Sequence, residues 1–322
     1  MDYDRSTILA KYLVTGGAGF IGSHLVEAIL ERGDFVRLLD NFSTGKRETI
    51  ELFGSNVEII EGDIRSYQIV RQAVKGIDYV LHQGALPSVP RSLKDPITTN
   101  EVNVSGTLNI LEAARDASVS RVVFASSSSV YGSSPKLPKQ EDMLPQPISP
   151  YAVSKLAGER YCHVFTKTYG LETVALRYFN VFGPRQDPQS TYAAFIPKFV
   201  RGIMDGSPLV IDGDGIQSRD FTYIKNVVQA NLLATKVEGI AGRVFNIACG
   251  VSLSVNDVVA HICEATGQKG NLSYGEVRAG DVSHSLADIH LAEELMGYRP
   301  EISVQEGLNE VVNWFRQRTE LS

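Results

Sequence analysis

A run of β-forming residues, Lys11 to Thr15, passes into Gly16-Gly17-Ala18-Gly19-Phe20-Ile21-Gly22 and then into an amphipathic stretch, Gly22 to Arg32, closed by Gly33. The glycines follow the spacing G-x-x-G-x-x-G, and each has a physical role. Gly16 makes a tight turn, Gly19 lets backbone approach a pyrophosphate, and Gly22 lets a helix pack close to a strand. The helix start then presents free N–H groups and a partial positive charge to phosphates. A glycine turn alone has no ligand. Here the next strand, Phe35 to Asp40, ends in an acid, which favours the dinucleotide reading.

The same alternation continues. Val57 to Glu61, Tyr79 to His82, Arg121 to Ala125 and Val174 to Arg177 read as strands, and Glu101 to Ala117 and Tyr151 to Tyr169 as helices. This rhythm predicts an α/β fold: a doubly wound parallel (Rossmann) sheet covered by helices on both faces. After Asn180 the pattern loosens. Elements return at Asn226 to Lys236 (helix), Val244 to Ala248 (strand), Val255 to Thr266 (helix) and Val304 to Arg318 (helix). The expected division is a dinucleotide domain at 1–180 and a smaller mixed α/β substrate lobe at 181–322. About 222–248 of the lobe returns to pack on the main sheet.

Composition narrows the partners. The 322 residues carry a formal net charge of -6, which argues against nucleic acid, since a phosphate backbone selects a basic face. The three cysteines, Cys162, Cys249 and Cys263, form no CxxC pair, and no metal-ligand spacing joins them to the six histidines. No metal is expected. Met1 to Thr7 lacks a basic segment leading into an apolar one, and no apolar run is long enough for a bilayer. The expectation is a cytoplasmic protein without membrane contact.

Asp40, at the carboxyl end of its strand, can accept hydrogen bonds from both adenosine ribose hydroxyls and repel a 2′-phosphate, favouring NAD over NADP. Lys46 and Arg47 argue the other way unless they are solvated in the polar loop after Asn41. Asp63, in Gly62-Asp63-Ile64, either meets the adenine amino group or caps the next helix.

Tyr151 and Lys155 stand four residues apart on one helix face. A phenol is a poor base at neutral pH, and a nearby ammonium, helped by the positive charge of a nicotinamide, lowers its pKa. The strand ending at Ala125 runs into Ser126-Ser127-Ser128-Ser129-Val130-Tyr131-Gly132, so hydroxyls reach the crevice at the carboxyl ends of the strands. Ser127, then Ser128, is favoured to assist Tyr151, while others of the run serve loop solubility.

Together with Leu176-Arg-Tyr-Phe-Asn180, these motifs resemble the extended short-chain dehydrogenase/reductase family. More narrowly the chain resembles nucleotide-sugar 4-epimerases, nearest the bacterial UDP-N-acetylglucosamine 4-epimerases. His82-Gln-Gly-Ala-Leu-Pro-Ser-Val-Pro-Arg91, Phe179-Asn-Val-Phe-Gly-Pro-Arg-Gln-Asp187, Tyr192-Ala-Ala-Phe-Ile-Pro-Lys198 and Ser218-Arg-Asp-Phe221 carry that resemblance, which runs from about Lys11 to Trp314.

The resemblance implies a mechanism. NAD oxidises C4, the 4-keto sugar swings about its diphosphate link, and the hydride returns to the opposite face. Tyr151 is the base, Ser127 its assistant, and Lys155 tunes the phenolate and holds the cofactor ribose. It extends the cofactor set to Phe20, Ile21, Asn41, Ser43, Thr44, Gly45, Ile64, Gln83, Ala85, Asn103 and Tyr178. For the UDP-sugar it implies Pro87, Ser128, Asn180, Val210, Asp212, Arg219, Arg278, Asp281 and Ser285, with both arginines on the diphosphate.

Ser128-Ser129 replaces the acidic pair of the sugar 4,6-dehydratases and the glutamate of the sugar-acid decarboxylases, so chemistry should stop at the ketone and reverse. Ser285 occupies the position where a small side chain admits a C2 N-acetyl group. The implied reaction is therefore UDP-GlcNAc/UDP-GalNAc interconversion, with UDP-Glc/UDP-Gal alongside. Pro87 stands where the nearest group has glycine. An arginine (Arg91 or Arg185) able to meet a carboxylate keeps UDP-glucuronate open. A nucleotide-sugar reductase and a non-catalytic NAD-binding scaffold are the competing readings. The family pairs the helices at about 101–117 and 151–169 between subunits, implying a homodimer.

Overall fold

The computed structural model describes residues 9–188, 195–276 and 284–320. Six strands arise in the first part: β1 (Lys11–Thr15), β2 (Phe35–Asp40), β3 (Val57–Glu61), β4 (Tyr79–His82), β5 (Arg121–Ser127) and β6 (Glu172–Tyr178). Short strands follow: β7 (Val181–Phe182), β8 (Pro208–Asp212), β9 (Ser218–Asp220) and β10 (Thr222–Tyr223). Then come β11 (Arg243–Ile247), β12 (Ser252–Ser254) and β13 (Asn271–Gly275).

The main sheet has the order β11-β6-β5-β4-β1-β2-β3, and all its pairings are parallel. Such a sheet buries both faces, so its strands are apolar throughout. Alternate residues feed opposite layers. Val14 and Leu38 join one core with Leu25, Val26 and Ile29 of the Phe20–Glu31 helix. Leu13 and Leu39 join the other, with Val70, Ala73, Ile110 and Leu111. The strand order leaves β1 in two directions, to β2 and to β4, which opens a crevice at the carboxyl ends of those strands.

Most sheet strands fall where the sequence puts them. β5, however, continues to Ser127, two residues past the expected end, and the first helix begins at Phe20 rather than Gly22. The helix expected over Glu101 to Ala117 is divided: Glu101–Ser105 is a π-helical turn and Gly106–Asp116 is α-helical. Such turns re-aim side chains and are frequent at functional sites.

Beyond β6, β13 pairs with β8 in parallel and β12 with β9 antiparallel. The helices Phe195–Met204, Val255–Thr266 and Val304–Glu320 cover these strands, burying Phe199, Ile203, Ile211, Val258, Ile262, Leu308 and Val311 in one apolar cluster. β11 returns beside β6 and completes the main sheet.

Candidate active site

A cavity of about 560 Å³ opens at the crevice beside β1 and β4. Its floor is the glycine turn. Gly16 adopts φ +67°, and a Cβ there would meet Gly84 backbone at 2.9 Å. A Cβ on Gly22 would lie 2.1 Å from the Gly16 carbonyl oxygen, so only glycine admits this approach of helix to turn. Gly19 occupies the N-cap without a side-chain cap, leaving first-turn N–H groups of the Phe20–Glu31 helix for a ligand. Phe20, Ile21, Ser43, Thr44, Asp63, Ile64, Gln83, Ala85 and Pro87 also line the cavity.

Asp40 is buried. Its Oδ2 accepts from the Ala18 N–H at 3.0 Å and its Oδ1 from the Phe42 N–H at 2.8 Å. Burial pushes this carboxyl above its ordinary value, and those N–H groups oppose the shift. The cations that argued for a 2′-phosphate are engaged by carboxylates: Lys46 with Asp187 at 3.0 Å, Arg47 with Glu61 at 2.6 Å. Asp63 accepts from Arg65 and from Asn41, whose Nδ2 lies at 2.8 Å, and Arg65 holds its carboxyl down at about 2. Asp63 does not cap a helix, because Ser66 takes the N-cap position of Tyr67–Val74. Gly45 packs on Ala18 and Asp40, closing the polar loop against the turn.

Asn103, expected beside the cofactor, is turned toward the protein interior. Its π-helical turn aims it inward, where Oδ1 accepts from the Leu86 N–H at 2.8 Å and Nδ2 donates to Ser154 Oγ at 3.0 Å. With its amide spent on protein partners, Asn103 holds the Gln83–Pro87 turn in place and is not among the cavity-lining residues. A chain of bonds below it went unseen in the sequence. Thr107 Oγ1 donates to the Asn103 carbonyl (2.6 Å), so it accepts from His82 Nε2 (3.0 Å). His82 Nδ1 must then accept from Thr15 Oγ1 (2.7 Å), which accepts from the Gly84 N–H (3.0 Å). One neutral tautomer satisfies every link. Burial lowers the His82 pKa to about 3, with the nearby Lys155 adding to the effect.

Tyr151 and Lys155 line the same cavity, beside Ala125, Ser126 and Tyr178. Ser149 caps their helix by accepting from the Ala152 N–H, and Pro150 opens it. The Ser127 hydroxyl neighbours the Tyr151 phenol and favours its ionised form. Desolvation raises the Tyr151 pKa, with Ser127 opposing it. In the protein alone burial outweighs Ser127 at the phenol; the expectation also calls on the positive charge of a bound nicotinamide. Lys155 Nζ donates to the Ala125 carbonyl at 2.7 Å and lies 5.8 Å from the Tyr151 ring centroid. It is itself desolvated, and its pKa falls to about 8.

The serine run also departs from expectation. Ser126 Oγ meets Glu159 Oε1 at 2.5 Å, inside a buried pair in which Arg177 Nη2 donates to Glu159 Oε2 at 2.8 Å. Ser127 caps the 3-10 turn Ser128–Tyr131, and the buried Ser129 hydroxyl has no partner among the described residues. These residues are built into the sheet end and do not serve loop solubility. Tyr178 shares its hydroxyl between Gln83 and Asn231, and burial pushes it up to about 12.

A second cavity of about 320 Å³ is lined by Asn180, Val210, Asp212, Arg219 and, unforeseen as site residues, Phe195, Lys198 and Gln217. Asn180 takes a positive φ of +36° and donates from Nδ2 to the Asp220 carbonyl at 2.9 Å. Ser285 is tied by its N–H to the Ser218 carbonyl (3.0 Å), and its buried hydroxyl has no partner among the described residues. Arg278, Asp281 and Tyr192 lie outside the described residues. Of the two arginines weighed for a carboxylate, Arg91 lines the first cavity, whereas Arg185 is held by His24 and Glu27. Among the described residues, no group of His, Cys, Asp and Glu is arranged to hold a metal, and no helix is long and apolar enough to cross a membrane.

Comparison with known proteins extends this geometry. The UDP-N-acetylglucosamine 4-epimerase of Methanobrevibacter ruminantium M1, solved with UDP-N-acetylmuramic acid, is 40% identical, with TM-score 0.92 over 96% of this chain and 99% of that one. The UDP-glucose 4-epimerase of Thermotoga maritima, solved with UDP-glucose, is 37% identical, with TM-score 0.92 over 96% and 99%. The UDP-glucuronic acid 4-epimerase of Bacillus cereus, solved with UDP-glucuronic acid and NAD, is 34% identical, with TM-score 0.88 over 96% and 99%. The profile described as "NAD dependent epimerase/dehydratase family" matches residues 12–248. The glycine cradle that a Cβ would fill, the open helix start and the buried Asp40 fit that cofactor. The chain belongs to the NAD-dependent epimerase/dehydratase family, within the extended short-chain dehydrogenases/reductases, and its cofactor is NAD.

Proposed function

We propose that this enzyme is a UDP-sugar 4-epimerase acting on UDP-GlcNAc and UDP-GalNAc, with UDP-Glc and UDP-Gal as further substrates. The observation that carries the reading is the Tyr151 phenol, flanked by Lys155, in the cavity that holds the glycine cradle. NAD, held by the glycine cradle and Asp40, would supply the hydride acceptor and donor for C4.

The chain's own residues do the rest. Tyr151 removes the C4 hydroxyl proton and gives it back, with Ser127 relaying at the same oxygen. Lys155, fixed by the Ala125 carbonyl, holds the nicotinamide ribose, and the Asp40 carboxylate accepts from the adenosine ribose. Arg219, with Arg278, grips the diphosphate while the sugar turns, Asn180 meets a phosphate oxygen, and Asp281 takes a ribose hydroxyl. Val210 and Asp212 border the nucleotide. Ser128 and Pro87 border the sugar, and the small Ser285 leaves room for an acetamido group.

UDP-glucuronate is the second reading, favoured by Arg91 on the cavity wall beside Pro87. The exposed apolar residues Leu93, Ile97, Val153 and Val164 support a homodimer through the helices that carry them. The unpaired cysteines accord with a cytoplasmic protein.

The test is incubation of the purified protein, without added NAD, with UDP-GlcNAc, UDP-Glc and UDP-glucuronate, followed by NMR. Conversion of UDP-GlcNAc to UDP-GalNAc is expected, reduced about 10²–10⁴-fold in Tyr151→Phe. Turnover of UDP-glucuronate alone would select the second reading, and unchanged activity in Tyr151→Phe would remove the phenol from the mechanism.

A further inference from the structure

The segment after β7 borders the dinucleotide cavity and is tied down on both sides. Gln186 and Asp187 line the cavity together with the glycine turn and the Asp40–Thr44 loop. On one side, His24 and Glu27 of the Phe20–Glu31 helix hold the segment. His24 Nε2 lies 2.9 Å from the Pro184 carbonyl oxygen, and Arg185 Nη2 lies 2.6 Å from His24 Nδ1. A carbonyl only accepts and a guanidinium only donates, so His24 is the neutral Nε2–H tautomer. Arg185 also pairs with Glu27. On the other side, Asp187 reaches Lys46 at 3.0 Å, past the end of β2. The start of the segment is fixed by the pairing of β7 with β10.

This fastening carries strain. Arg185 sits at φ +68°, a left-handed conformation that a side chain enters only when its surroundings over-determine it. A Cβ on the neighbouring Gly183 would stand 2.4 Å from Ile224 Cγ2, so this part of the segment is pressed onto the helix below. None of these contacts touches Tyr151, Lys155 or Ser127, so the chemistry at C4 does not account for them.

We propose that residues 183–187 form a clasp over bound NAD, hinged on His24 and Glu27 and latched by Lys46–Asp187, and that its opening sets the rate at which the cofactor leaves. An enzyme that returns the hydride it removes has no need to release its cofactor between turnovers, and a clasp of this kind keeps it in place. The cofactor is that of the family, so the inference stands whichever UDP-sugar is the substrate.

The experiment is a chase. The protein is loaded with radiolabelled NAD, excess unlabelled NAD is added, and the label retained is followed by rapid gel filtration. Asp187→Asn should speed release about threefold, the size expected for an exposed ion pair. His24→Ala, which removes both bonds to the segment, should speed it about tenfold. In the unsubstituted protein, added salt should also accelerate release by screening the latch, and Asp187→Asn should lose that salt dependence. The melting temperature of the NAD-stripped Asp187→Asn protein should stay where it was, separating the latch from general loosening. If His24→Ala does not fold, Asp187→Asn decides alone. Release rates and salt dependence unchanged in Asp187→Asn would overturn the proposal.

Discussion

At the scale of single residues, a buried histidine underlies the site. His82 is buried, and both its ring nitrogens are committed to threonine hydroxyls that link the Gly84 turn to the Asn103 turn. Its pKa drops from 6.5 to about 3 in the folded protein. The unfolded chain therefore takes up a proton first as pH falls. The stability His82 contributes is complete above pH 6.5 and is lost as pH drops toward 3. His82→Gln should accordingly flatten the decline of the urea midpoint between pH 7 and pH 5. An unchanged slope would show that another group governs it. Little of this was legible beforehand. The sequence announces the glycines, Asp40 and the Tyr151–Lys155 spacing because those are local patterns. Whether Lys155 or burial prevails at the phenol is a matter of desolvation, which spacing does not encode. The roles of Asn103 and Ser126 depend on partners about 20 to 50 residues away in the chain, Leu86, Ser154 and Glu159.

At the scale of elements, the sheet strands were legible because buried parallel strands are continuous apolar runs between turn residues. The boundaries that missed have physical causes. β5 extends through Ser126 and Ser127 because pairing with Arg177 and Tyr178 of β6 continues past the apolar run. The π-helical turn at Glu101–Ser105 leaves no mark in side-chain periodicity. Short elements such as β9 are held by tertiary contacts rather than by propensity. Asp220, fully buried on β9, accepts from the N–H groups of Cys249 (2.9 Å), Gly250 (3.0 Å) and Ala287 (3.2 Å). It thereby fixes three segments beside Arg219 and Ser285. Asp220→Asn replaces one acceptor oxygen with a donor that faces N–H groups. The expected cost is about 1–3 kcal/mol of stability, read from urea unfolding. Burial raises the Asp220 pKa to about 7, so its contribution has the opposite sign to that of His82: present below pH 3.8 and lost as pH rises through 7. The variant should therefore lose less stability, relative to the parent, at pH 7 than at pH 5. An equal loss at both would contradict the assignment.

For the whole molecule, topology explains why two sparse sets of residues make one site. The sheet reverses between β1 and β4, opening the dinucleotide crevice, and the residues after β6 build the second cavity next to it. Val181 lines both cavities, so the two open onto each other at β7. On the outer surface, Val153 and Val164 share one face of the Pro150–Tyr169 helix, 52% and 45% exposed. Sedimentation should give twice the chain mass, and Val153→Arg should shift it toward the monomer. A monomeric parent would sink the homodimer. The most direct test of the central claim follows the hydrogen at C4. UDP-GlcNAc carrying deuterium at that carbon is incubated with the protein and its own bound NAD, and the product is read by NMR. The account predicts UDP-GalNAc with the deuterium retained at C4. Product whose C4 hydrogen has come from water would contradict it.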